Sequence, residues 1–166
     1  EKEMIPLKQG GTGSRSEFEE QPDFLPDRFE SGTPNGVGIA GLRAGVQFVL
    51  EKGVELIRQS EMTLTQKLIE GLKEIPQLKI YGPGSHQNRI ATLSFNFHRL
   101  SPSNGASRLE KEFGILCRPG LHCAPAAHHT LGTFPKGTIR FGLSAFNTEE
   151  EIETTIQAVS LIAQGT

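Results

Sequence analysis

The densest cluster of reactive side chains in this 166-residue chain runs from Cys117 to His129, as Cys-Arg-Pro-Gly-Leu-His-Cys-Ala-Pro-Ala-Ala-His-His. Pro119, Gly120 and Pro125 interrupt regular structure around Cys123 and place it on a loop. Arg118 and His122 stand beside it, and positive neighbours stabilise a thiolate, the form of cysteine that acts as a nucleophile. The alternative is an exposed cysteine without a role. Cys123, His122, His128 and His129 are also soft and borderline metal ligands, but their spacing fits no common zinc signature. No second cysteine pair completes a four-ligand set, so no metal is expected. Cys117 lies in an apolar stretch and reads as a small buried hydrophobe.

Arg140 is a second candidate. Thr138 to Leu143 alternates, with Ile139, Phe141 and Leu143 on one face and Arg140 on the other. A guanidinium fork there suits a carboxylate ligand, and a solvated strand face is the alternative. Two Gly-rich stretches with hydroxyls, Lys8 to Ser14 and Ser31 to Asn35, could hold phosphate through backbone N–H groups. Neither matches a phosphate-binding P-loop or a dinucleotide fingerprint.

The elements that must position these residues follow from periodicity. Glu1 to Asn35 is rich in Gly, Pro and acidic residues, has no apolar period and reads as an arm. From Gly36 to Ile75 the pattern is helical, with Leu42, Val46, Val49 and Leu50 on a first stripe. Gly53 interrupts it, and a second helix carries Val54, Ile57, Leu64, Leu68, Leu72 and Ile75 up to Pro76. Short strands are expected at Leu78–Tyr81, Arg89–Phe97, Ile115–Cys117 and Thr138–Leu143, with a helix from Ser103 to Phe113 ended by Gly114. Thr148 and Glu151 form a capping box for a last helix carrying Ile152, Ile156, Val159 and Ala163. The sum is an α+β fold: a small sheet with a helical layer on one face, preceded by an irregular arm. The boundary is expected at residue 35, with the arm as 1–35 and the folded domain as 36–166.

Composition narrows the function. A net charge of −2 with 22% charged residues argues against nucleic acid as a partner. No apolar run approaches the roughly 18 residues of a membrane span. No signal-peptide pattern opens the chain, and two cysteines make no disulfide scaffold, so the expected compartment is the cytoplasm. Residue 1 is Glu rather than Met, which leads to the expectation of a piece of a longer chain.

Taken in order, the motifs carry a resemblance. They are Gly10-Gly11-Thr12-Gly13-Ser14, Arg28-Phe29-Glu30-Ser31-Gly32-Thr33-Pro34-Asn35, Arg118-x-Gly120-x-His122-Cys123-Ala124-Pro125, and Ile139-Arg140-Phe141 leading to Phe146 and Glu151. From about Leu7 to Ile162 the chain resembles the C-terminal part of class V aminotransferase-fold enzymes that depend on pyridoxal phosphate (PLP). More narrowly it is similar to cysteine desulfurases and selenocysteine lyases of the SUF type, with a short cysteine loop.

The resemblance implies roles. Cys123 matches the persulfide-forming cysteine, Arg140 the arginine that grips the substrate carboxylate, and Arg118 a second arginine near it. His122 would lie at the substrate, and His128 nearby without a firm role. Thr33, with Gly32, matches the threonine that reaches across a homodimer to the phosphate of the partner's PLP. Gly11 and Thr12 would belong to the loop covering the neighbouring site. The implied reaction takes sulfur from L-cysteine as a Cys123 persulfide and releases L-alanine, with L-selenocysteine as the other substrate and a sulfur-acceptor protein as a possible partner.

One departure qualifies this. The family holds PLP on a lysine after a histidine, upstream of the Gly-Gly-Thr loop, and none of the eight lysines here follows a histidine. The expectation is the small C-terminal domain with a remnant of the PLP-binding large domain, inactive by itself. The alternatives are an aminotransferase-like enzyme in which Cys123 is incidental, and a non-catalytic sulfur-carrier or interaction domain.

Overall fold

The computed structural model describes residues 3–11, 13–85 and 88–165, in two compact units, 1–51 and 52–166. In the first, residues 3–11 and 13–35 are irregular apart from a 3-10 turn at Gly13–Arg15. This stretch is tied by Gly32 N–H donating to the Gly11 carbonyl at 2.9 Å, Arg28 Nη2 donating to the Met4 carbonyl at 2.8 Å, and Ser14 Oγ donating to Asp27. Helix α1, Gly36–Lys52, starts where Asn35 Oδ1 accepts from Gly38 N–H at 2.9 Å, which satisfies one otherwise orphaned donor of the first turn. Its expected stripe of Leu42, Val46, Val49 and Leu50 is present on the helix but exposed, and no residue of α1 is buried.

The second unit holds the core. Gly53, at φ 80°, separates α1 from α2 (Val54–Lys73), a break that a glycine makes without steric cost. There follow β1 (Leu78–Tyr81), β2 (Thr92–Phe97), α3 (Pro102–Phe113), β3 (Arg118–Gly120), α4 (Pro125–Leu131), β4 (Thr138–Gly142) and α5 (Glu149–Gln164). The sheet is antiparallel throughout, in the order β1-β2-β4-β3. Alternation sends Leu93, Phe95 and Phe97 of β2 and Ile139 and Phe141 of β4 to one face. There they pack with Leu64, Leu68 and Leu72 of α2, Leu109 of α3, and Ile152, Val159 and Ile162 of α5. The helical layer on one face of a small sheet is therefore as the periodicity predicts.

Two close approaches fix that layer. A Cβ on Gly105 would come within 2.8 Å of Ile139 Cδ1 and of the Phe97 ring, so α3 lies against the sheet only because residue 105 has no side chain. α5 starts at Thr148, whose hydroxyl accepts from Glu151 N–H at 3.2 Å while Glu151 Oε2 accepts from Thr148 N–H at 2.9 Å, the expected capping box.

Three elements differ from expectation. The strand expected at Ile115–Cys117 lies at Arg118–Gly120 instead. Gly114, at φ 69°, and the Ile115 N–H to Leu109 carbonyl bond at 3.0 Å use residues 114–115 to close α3. The ladder with β4 forms only from Arg118, and Pro119 is tolerated because β3 is an edge strand. β2 begins at Thr92 rather than Arg89. Helix α4 was not anticipated: seven residues from Pro125 are too short for a periodic apolar signal.

Candidate functional site

Strand register brings the two arginines together. Arg118 of β3 is directly opposite Arg140 of β4, and Arg140 is directly opposite Ser94 of β2. All three lie on the sheet face away from the core, since Ile139 and Phe141 occupy the other. Like charges directly opposite one another destabilise a strand pair. Among the described residues neither arginine has an acidic partner within ion-pair distance. The pair is thus a cationic face, one member exposed and one half-buried, with the donor set for an anion such as a carboxylate. Ser94 was not singled out from the sequence; its polar position in the alternation of β2 was visible, but its neighbour across the ladder was not.

Cys123 sits at the end of that strand pair. Leu121 to Ala124 form a tight turn closed by Ala124 N–H to the Leu121 carbonyl at 2.9 Å. The two central residues, His122 (φ 53°) and Cys123 (φ 58°), are both left-handed, the backbone of a type I′ turn. Asn and Gly normally fill such positions, and a side-chain-bearing residue costs roughly 1–2 kcal/mol in each. The turn leads directly into Pro125 at the start of α4. Cys123 is exposed, and Arg118 Nη2 lies 3.5 Å from its Sγ, a contact that sets positive charge against the sulfur.

The histidines divide. His122 is bonded through Nε2 to the Arg118 carbonyl at 2.9 Å. A carbonyl only accepts, so Nε2 carries the proton. Burial lowers the His122 pKa from 6.5; its bond to Arg118 opposes this, and the charges of Arg140, His128 and Arg118 add to the lowering. Its ring centroid is 5.6 Å from that of His128, which is buried and bonded through Nδ1 to Thr133 Oγ1 at 2.7 Å. His129 is exposed and stacks on Phe134 at 4.0 Å. Cys117 is half-buried against the core, and burial, with a smaller contribution from Glu110, pushes its pKa up to about 11.

In the first unit, Gly11 and Gly32 are brought together by their backbone bond, and Thr33 follows, exposed. A Cβ on Gly11 would sit 3.1 Å from Gly32 Cα, so the two loop backbones meet closely. Thr12, the other candidate there, lies outside the described residues. Three lysines of the second unit are already engaged: Lys67 with Glu149 and Glu153, Lys73 with the Gly84 carbonyl, and Lys79 over the Tyr81 ring.

The sequence and the fold of the chain are matched by known proteins. Residues 1–155 match the family model described as aminotransferase class-V, and the chain belongs to that family. A probable cysteine desulfurase of Synechocystis sp. is 38% identical over 136 residues, covering 81% of this chain and 32% of that protein. One of Methanothermobacter thermautotrophicus is 33% identical over 165 residues, covering 97% of this chain and 40% of the relative. The apo structure of a cysteine desulfurase from Thermococcus onnurineus superposes with a TM-score of 0.82 at 31% identity, covering 98% of this chain and 40% of that one. The chain therefore spans about a third to two fifths of the length of these relatives. Among the described residues no helix is long and apolar enough to cross a membrane.

Proposed function

We propose that this chain is the C-terminal part of a PLP-dependent cysteine desulfurase, with 1–35 belonging to the PLP-binding large domain and 36–166 forming the small domain. The observation that carries the reading is the contact of Arg118 with an exposed Cys123 on a left-handed turn, beside Arg140.

Each of the two units carries donors suited to the cofactor or to its substrate. The exposed Thr33 hydroxyl, just after the Gly32 N–H to Gly11 carbonyl bond that joins the two loops, suits its phosphate. Arg140 and Arg118 suit the carboxylate of an amino acid held by it. The lysine that bonds the cofactor would come from outside this chain. PLP, when bound, supplies the electron sink at the substrate α-carbon. Arg140 holds the substrate carboxylate and so fixes where the substrate sulfur lies, a positioning effect. The Cys123 thiolate attacks that sulfur. An S–S bond forms on Cys123, and the substrate C–S bond breaks with its electron pair left on carbon. Protonation there gives alanine, and the protein keeps the persulfide. Exposure of Cys123 suits handing the sulfur to an acceptor protein.

The assembly implied is a homodimer, with Thr33 reaching the partner's phosphate. Replacing Cys123 by Ala in the protein extended to the length of its relatives is expected to abolish alanine release from L-cysteine. Selenocysteine cleavage that survives the change identifies a selenocysteine lyase activity; undiminished alanine release from cysteine refutes the desulfurase reading.

A further inference from the structure

Two consecutive left-handed residues with full side chains are the most strained backbone among the described residues, because the other positive φ values there belong to glycine. Such strain persists only where the surroundings hold it. Three contacts surround this turn. Ala124 N–H closes it on the Leu121 carbonyl. Arg118 Nη2 meets Cys123 Sγ at 3.5 Å. His122 Nε2 reaches back four residues to the Arg118 carbonyl at 2.9 Å. Of these, only the last ties the turn to the backbone of β3, at the residue whose guanidinium faces the sulfur.

We propose that His122 is the positioning residue of the site: its Nε2–H bond to the Arg118 carbonyl latches the His122–Cys123 turn onto β3 and keeps Sγ against the Arg118 guanidinium. This rests on the reading of Cys123 as the sulfur-accepting residue. The register of β3 fixes the Arg118 carbonyl, because Arg118 is paired with Arg140. The ring of His122 is backed by His128, itself fixed by Thr133 and buried midway along α4. Strand, turn and helix thus meet at one imidazole. Without the latch, the turn would relax toward ordinary backbone and carry the thiol away from Arg118, while the arginine face would remain.

The test uses the full-length enzyme with H122N and H122Q. Asn adopts left-handed backbone more readily than His, so H122N relieves strain, but its amide is too short to reach the carbonyl. The Gln amide nitrogen falls near the place of Nε2 and can restore the bond. Turnover of L-cysteine and alkylation of Cys123 by iodoacetamide at fixed pH are measured for both. H122N is expected to lower kcat about tenfold or more with KM within about twofold, and to slow alkylation, while H122Q recovers most of both. H122N with wild-type kcat and alkylation, or H122Q as impaired as H122N, overturns the latch. A C123A control separates the two claims: if it leaves alanine release intact the desulfurase reading fails, and the alkylation rates alone then decide whether His122 positions the thiol.

Discussion

At the scale of single residues, two thiols in one domain face opposite environments. Cys123 is exposed against Arg118, whereas Cys117 is half-buried with its pKa pushed up to about 11. Iodoacetamide near neutral pH should modify Cys123 and leave Cys117 unmodified, as read by peptide mass mapping; equal labelling would contradict the assignment of environments. The arginines should separate kinetically. R140K, which keeps charge but loses the fork, is expected to raise KM for cysteine about tenfold. R118K should act mainly on kcat, because its guanidinium is against the sulfur. His122 also makes a pH signature. Its folded pKa lies below 6.5, so the unfolded chain binds that proton at higher pH than the folded one. The stabilisation by neutral His122 is therefore present above 6.5 and lost as pH falls below it. Urea midpoints of the full-length protein should decline across that window, less steeply for H122Q, in which position 122 carries no titrating group. Cys123, Arg118 and Arg140 were legible as candidates because Gly and Pro mark loops and a lone cation breaks a strand alternation. The contacts among them were not, because residues 118 and 140 meet only through a ladder between distant segments.

At the scale of elements, the capping box and one glycine carry separate tests. T148A removes the acceptor for Glu151 N–H and should cost about 1 kcal/mol. The Glu151 carboxyl is held below its usual range by the Thr148 backbone bond and then by Asn147, so its contribution is present above 4.5 and fades as pH falls. G105V forces a side chain into Ile139 and Phe97 and should cost roughly 1–3 kcal/mol by overpacking, measured by urea unfolding. The helices α2, α3 and α5 and the strands β1, β2 and β4 were legible, because each carries its own period or cap. β3 and α4 were not. β3 is three residues set by its partner strand, and α4 is a seven-residue helix after a strained turn.

At the scale of the whole molecule, the chain holds a cationic sheet face, a presented thiol and a Gly11–Gly32 loop pair, but no lysine that follows a histidine. Incubated with PLP and borohydride, it is expected to show no adduct concentrated on one lysine by mass spectrometry; a single stoichiometric adduct would contradict the view that the bonding lysine lies elsewhere. The exposed apolar stripe of α1 was legible as a helix, while its exposure was not, since periodicity reports a face and not its cover. The central claim is that Cys123 receives sulfur. The most direct measurement is intact-peptide mass spectrometry of the full-length enzyme after brief exposure to L-cysteine, with and without a reductant. One additional sulfur atom is expected on the peptide carrying Cys123, removed by the reductant and absent from that carrying Cys117. Turnover with no added sulfur on Cys123, or with it on another residue, would contradict the account.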